Sequence, residues 1–183
     1  MKTELDIVNS MLVAINNAPV QSLENNTSPD VYNAHRILDE VKTSILTKGW
    51  FSNTDIITVV PDISKSCVLP SNILKATPFT RGVVDRGGKL YDMHRTTYEF
   101  ELPQKVKILI DLPIENIPIE LMEYISAEAK YQFYIAYGGD ADLVQFYYND
   151  VAAKQATAVS ADLRDRKDNG AVFTNVRIRY GEV

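Results

Sequence analysis

Ala34-His35-Arg36-Ile37-Leu38-Asp39-Glu40-Val41, then Lys48-Gly49-Trp50-Phe51, then Thr54-Asp55-Ile56-Ile57-Thr58-Val59-Val60: across these residues the chain changes its period. Before Gly49, the apolar positions Val31, Ala34, Ile37, Leu38, Val41 and Ile45 recur at three and four residues, which makes one stripe of a helix. Gly49, just after Lys48, suits the left-handed position that ends such a helix. Trp50 follows the helix end and reads as an anchor between helices and β region. From Thr54 the residues are β-branched and stop at Pro61-Asp62, a strand and its turn. Helices on one side of Gly49 and strands on the other give an α+β class.

Upstream, Ser28-Pro29-Asp30 opens that helix: serine caps, proline suits the first turn, and aspartate complements the positive helix end. A first helix is expected from about Thr3 to Asn16, with Leu5, Val8, Leu12 and Ile15 as its apolar face. Asn17-Ala18-Pro19 ends it, because the residue before proline avoids the helical region. Downstream, Val83 to Tyr91 reads as a hairpin around Gly87-Gly88, and Lys105 to Leu112 is the clearest strand. Helical spacing returns after Pro118 with Leu121, Ile125, Ala129, Phe133 and Ala136. Gly138-Gly139-Asp140 closes this helix and caps a fourth, expected from about Ala141 to Arg166. The small residues Ala152, Ala153 and Ala156 suit a close helix approach, and Asp165 to Gly170 reads as a polar linker. Val172 to Tyr180 alternates β-branched and polar side chains as an extended arm.

The expected architecture is therefore a four-helix bundle interrupted by a β-rich insertion, with an extended C-terminal arm. Its segments are a first helical pair (1–52), the insertion (53–117), a second helical pair (118–168) and the arm (169–183). Two amphipathic helices alone bury little, so the first pair needs the second.

The chain has 183 residues, 45% of them hydrophobic, enough for one core or one core with a small lobe. A net charge of −5 argues against a general nucleic-acid binder, which needs a basic face to release counterions. It is compatible with a surface that DNA passes without sticking. No apolar run approaches the roughly 20 residues of a membrane span. The acids in Met1-Lys2-Thr3-Glu4-Leu5-Asp6 do not suit a signal peptide, so a cytoplasmic protein is expected. One cysteine, Cys67, excludes an internal disulfide and a cysteine-based zinc site.

Chemistry-bearing residues are sparse. His35 and His94 stand apart, without a second ligand at metal spacing. Arg86-Gly87-Gly88-Lys89 lacks the spacing and the Ser/Thr of a phosphate loop, and a tight hairpin accounts for its glycines. Asp140 and Asp142 lack the later ligands of a calcium loop, and helix capping accounts for Asp140. Glu99, Glu101, Asp111 and Glu115 are carboxylates of the kind a glycan hydrolase pairs. Tyr131, Phe133, Tyr134, Tyr137, Phe146, Tyr147 and Tyr148 form a dense aromatic set, and tyrosine is enriched at protein interfaces.

Three stretches taken in order carry a family resemblance. They are Ile15-Asn16-Asn17-Ala18-Pro19-Val20-Gln21-Ser22-Leu23-Glu24, the Ala34–Val41 and Lys48–Phe51 pair quoted above, and Arg86-Gly87-Gly88-Lys89-Leu90-Tyr91-Asp92. Together they resemble the tail tubular protein A family, the head-to-tail adaptors of short-tailed bacteriophages, over a region reaching to about Tyr134. The resemblance implies a structural protein with no catalytic residue, metal or cofactor. It implies a closed ring of about twelve copies between portal protein and tail nozzle, built on a head-to-tail interface. That ring would extend the DNA exit channel in the virion tail, after assembly in the host cytoplasm. In this reading the arm adds as a strand to another subunit or the portal. Phe173, Arg177, Arg179 and Tyr180 on the arm, with Tyr147 and Tyr148, are then the expected partner-binding residues. The alternatives from other classes are a tail-associated glycan hydrolase and a small cellular oligomer with no phage role.

Overall fold

A computed structural model describes residues 2–24 and 27–169. The fold is a mixture of helices and antiparallel sheet, in keeping with the α+β class. The chain divides into two compact units: Thr43–Leu112 forms one, and the described residues on either side of it form the other.

The flanking unit is helical. Helix α1 (Glu4–Ala14) starts at a reciprocal cap: the Asp6 amide donates to Thr3 Oγ1 at 3.2 Å and the Thr3 amide donates to Asp6 Oδ2 at 2.8 Å. Donation from the Thr3 amide, and next from the Thr3 hydroxyl at 2.9 Å, holds the Asp6 carboxyl below its ordinary range. The helix buries Ile7, Val8, Met11 and Leu12, whereas Leu5 and Ile15 of the expected face are half-buried. α1 is apolar over a broad arc, so its own periodicity does not select one stripe. Packing on α3 (Ile119–Ala136) selects it. Asn16 ends the helix in the left-handed region at φ 60°, and the Asn17 amide donates back to the Leu12 carbonyl at 3.0 Å. Asn9 then pins the following loop, accepting from the Val20 amide at 2.8 Å and donating to its carbonyl at 2.9 Å.

Helix α2 (Pro29–Leu46) buries every member of the stripe read from the sequence: Val31, Ala34, Ile37, Leu38, Val41 and Ile45. α3 buries nine residues, among them Leu121, Ile125, Ala129 and Phe133; Ala136 is exposed. Helix α4 (Ala141–Asn169) continues past Arg166 through the stretch expected to be a linker. Its last turns are held by an Asp162–Arg166 pair at 2.6 Å and by Asn169 Nδ2 donating to the Asp165 carbonyl. Arg166 and Lys167 also complement the negative helix end.

The second unit is built on β5 (Gln104–Ile110), which lies between β1 (Thr54–Val59) and β2 (Ile73–Pro78) in an antiparallel sheet. Thr54 pairs with Leu109 and Val59 with Gln104, while a bulge between Ile73 and Lys75 shifts the β2 register. β3 (Val83–Arg86) and β4 (Lys89–Asp92) form the expected hairpin, with Gly87 and Gly88 both at positive φ. Along β5 Val106 and Ile108 are buried and Lys105 and Lys107 exposed, the period of a strand with one covered face. These two join Val59, Cys67, Leu69, Val83, Leu90 and Phe100 in the core of this unit. Asn53, wholly buried, clasps its start: Nδ2 donates to the Leu46 carbonyl at 3.0 Å and the Ile110 carbonyl at 3.1 Å, and Oδ1 accepts from the Trp50 amide at 2.9 Å. Trp50 is buried and its indole N–H donates to the Ile45 carbonyl at 2.8 Å.

Candidate assembly surface

The turn between α3 and α4 sets the pairing of these helices. Gly138 takes φ 69°, a conformation open to glycine, and stops α3. Gly139 is needed for space: a Cβ there would lie 2.0 Å from Tyr134 Cε1. Asp140 Oδ1 then accepts from the Asp142 amide at 2.9 Å and caps α4. The helices run back antiparallel, as their cross-pairs show. Tyr147 meets Tyr134 edge to face with centroids 5.0 Å apart, Tyr148 meets Tyr131 at 5.9 Å, Lys154 pairs with Glu123, and Arg164 reaches Glu120 at 3.8 Å.

α4 buries only Val151 and Ala158. The alanines expected to mediate close approach, Ala152, Ala153 and Ala156, are exposed. Helical spacing explains this: residues seven apart share a face, and Val151 with Ala158 occupies the one against α3. On a flank of the helix, roughly 110° round from that face by helical geometry, Tyr148, Ala152, Ala156, Val159 and Leu163 follow one another at steps of four, four, three and four. All are exposed, Leu163 to 61%, and Phe146 near the helix start is exposed to 63%. Together they make an apolar stripe along the exposed side of the helix.

Of the partner-binding residues expected from the sequence, Tyr148 lies in this stripe. Tyr147, one residue before, is half-buried against Tyr134 and Phe146. Phe173, Arg177, Arg179 and Tyr180 lie outside the described residues. Val159 and Leu163 are not among those residues, although their spacing from Tyr148 is readable in the sequence.

A cleft of about 710 Å³ opens beside this helix pair. Its wall combines Ser10 and residues 13–17 at the end of α1, Asp30 of α2, Lys130, Tyr134 and residues 137–140 at the end of α3, and Leu143 and Tyr147 of α4. Two acids of the wall are already engaged. Asp30 accepts from the Tyr137 hydroxyl at 2.5 Å and from Asn17 Nδ2 at 2.7 Å, and Asp140 caps α4.

The remaining chemical residues have structural surroundings. His35 Nε2 lies 3.2 Å from Glu4 Oε1 on an exposed helix face. His94 packs over Gly82, where a Cβ would come within 2.1 Å of the ring. Arg86 stacks on Tyr91 at 3.8 Å, and Glu101 pairs with Lys65 at 2.7 Å. Among the described residues no three His, Cys, Asp or Glu side chains cluster for a metal, and no helix is long and apolar enough to cross a membrane.

A model of the tail tubular protein family matches residues 5–168. The chain is also similar to the Tail tubular protein A of Klebsiella phage KP34, at 27% identity over 148 residues, covering 78% of each chain. The family match takes in α1 through nearly all of α4, and so both units and the exposed stripe. The chain belongs to the tail tubular protein family, structural components of the bacteriophage tail.

Proposed function

We propose that this protein is a head-to-tail adaptor. Copies of the chain, about twelve, close into a ring between the portal protein and the tail nozzle and lengthen the channel through which DNA leaves. The observation that carries the reading is the outward stripe of α4: Tyr148, Ala152, Ala156, Val159 and Leu163 are exposed in the single chain, on a helix nearly all of which the family match covers. A helix with one apolar face turned inward and another outward suits a subunit that packs on itself and on a neighbour. In this reading the helical segments close as one four-helix bundle that supplies the ring contacts. The β-rich insertion offers a separate face to a partner, and the arm from residue 169 tethers the subunit. The protein has no catalytic role and no cofactor. With a net charge of −5 it lets DNA pass without specific binding. It assembles in the host cytoplasm and resides in the virion tail.

The test is mass in solution, alone and with the portal protein. The expected result is a monomer or weak oligomer alone and a closed ring on the portal. The double variant Tyr148→Glu and Leu163→Glu should keep the fold, checked by circular dichroism, and lose the ring. Ring formation unaffected by both charges would overturn the role of the stripe, and absence of any ring with the portal would overturn the adaptor reading.

A further inference from the structure

The β-rich unit sets three lysines on one face of its sheet. On one side of β5, Thr58 stands opposite Lys105 and Ile56 opposite Lys107; on the other, Thr77 stands opposite Lys107 and Lys75 opposite Leu109. Directly opposed residues of neighbouring strands share a face, so these side chains lie together. They occupy the reverse of the face that Val106 and Ile108 turn to the core. Leu109 is buried beside Gly49 and closes one end. Thr58, Lys75, Thr77, Lys105 and Lys107 are exposed, and Ile56 is half-buried. Strand geometry puts Lys105 and Lys107 about 6.8 Å apart, and Lys75, one strand over, about 14 Å from Lys105.

These lysines make no ion pair among the described residues. The acids nearby do not stand on the face. Asp55 is opposite Ile108 and so belongs to the other side of the sheet, Glu101 pairs with Lys65 at 2.7 Å, and Asp111 lies past the end of β5 with its Oδ1 buried. Within Thr43–Leu112 nine Lys and Arg stand against seven Asp and Glu, although the whole chain carries −5.

We infer that this sheet face contacts the phosphate backbone of duplex DNA without reading its sequence. Ammonium point charges beside hydroxyl donors are the side chains of a phosphate contact. A protein partner would ask for a different face: such interfaces are depleted of lysine and centred on aromatic or aliphatic anchors, and no large apolar side chain stands exposed here. A duplex carries one charge per roughly 1.7 Å, about eight over the length of the lysine row, so each lysine finds a phosphate. Three strands are wider than the two-stranded ribbon a major groove admits, which keeps the lysines at the groove's rim and away from base edges. Contacts of this kind let a duplex slide. The adaptor reading supplies the DNA that the face would meet, while the contact itself belongs to the single chain.

The test titrates the full chain into a fluorescently labelled duplex of about 20 base pairs and follows anisotropy between about 20 and 100 mM salt. Neutralising three phosphates gives a slope of log K on log salt of about −2.7, an affinity loss of about 80-fold over that range. Lys75→Gln, Lys105→Gln and Lys107→Gln should each lessen the slope by about 0.9, and the triple variant should lose binding with its circular dichroism spectrum unchanged. Arg177→Gln with Arg179→Gln should keep the slope, which separates this face from the basic residues near the chain's end. A duplex of unrelated sequence should bind within about twofold. DNA binding of this form by a chain that builds no ring on the portal would sink the adaptor reading and leave the contact standing. An unchanged slope in the triple variant, loss of binding in the arginine variant, tighter binding of polyglutamate of the same total charge, or no binding up to ~1 mM protein at the lowest salt would each overturn the proposal.

Discussion

α3 and α4 lie side by side, yet they use their sequences differently. α3 has 18 residues and buries nine of them; α4 has 29 and buries two. Both carry aromatic and aliphatic side chains throughout. In α3 these fill the unit's own core, with Phe133 wholly enclosed. In α4 Leu143, Phe146, Tyr148, Val159 and Leu163 stand in solvent. Scattered exposed apolar residues need no explanation, but an aligned series on one helix face does. The contrast separates residues that make the chain fold from exposed residues that, under the proposed function, hold copies together. A stability measurement should therefore see α3 and largely miss the outside of α4.

The largest effect is expected at Phe133→Ala, which should cost about 3–5 kcal/mol in denaturant melts because a large cavity opens among enclosed neighbours. A loss below about 1 kcal/mol would mean that α3 is not central to the core. Gly139→Ala comes next, at about 1–3 kcal/mol, since its methyl must displace the Tyr134 ring. If the thermal midpoint of that variant is unchanged, the turn is not tight. The Lys154–Glu123 pair that ties the two helices is partly exposed, so a double-mutant cycle with Lys154→Met and Glu123→Gln should give less than about 1 kcal/mol. Its pH dependence has a definite sign. The hydrogen bond from Lys154 lowers the Glu123 carboxyl, so this contribution is present above the unfolded value of about 4.3 and fades as pH falls through the lower folded value. The Lys154 ammonium is raised by the same bond, so its share holds below about 10.4 and fades as pH rises through the higher folded value. A coupling as large at pH 3 as at pH 7 would contradict the pairing. Smallest of all, Leu163→Ser at low protein concentration should change stability by no more than about 0.5 kcal/mol. A loss of 2 kcal/mol or more there would erase the contrast between the helices.

Parts of this fold are legible in the sequence because one signal dominates locally. The α2 stripe is such a case: polar residues surround six apolar ones, so only one face can be buried. Gly87-Gly88 and the alternation in β5 are equally direct. α1 is not, because its apolar arc is too wide for periodicity to choose between Leu5–Ile15 and Ile7–Met11; α3 decides. The Asp165–Asn169 stretch looks like a linker by composition, but Asp162, Arg166 and Asn169 at helical spacing keep it helical. Ala152, Ala153 and Ala156 read as a close-approach face, yet all three are exposed, because composition does not say which face of α4 meets α3. The cleft was hidden for another reason. Its walls come from four separate segments, and one of its bonds, Tyr137 to Asp30, joins residues 107 apart in the chain.

Cys67 lies fully enclosed in the β-rich core, and burial raises its thiol above the ordinary range. It is the chain's one cysteine. Thiolate is the reactive form, so alkylating reagents at neutral pH have no accessible target on the native protein. Any sulfur placed on the surface therefore becomes a unique attachment point without further engineering. Leu163→Cys would carry a single fluorophore on the outer face of α4, and quenching of that reporter would time subunit association as it happens.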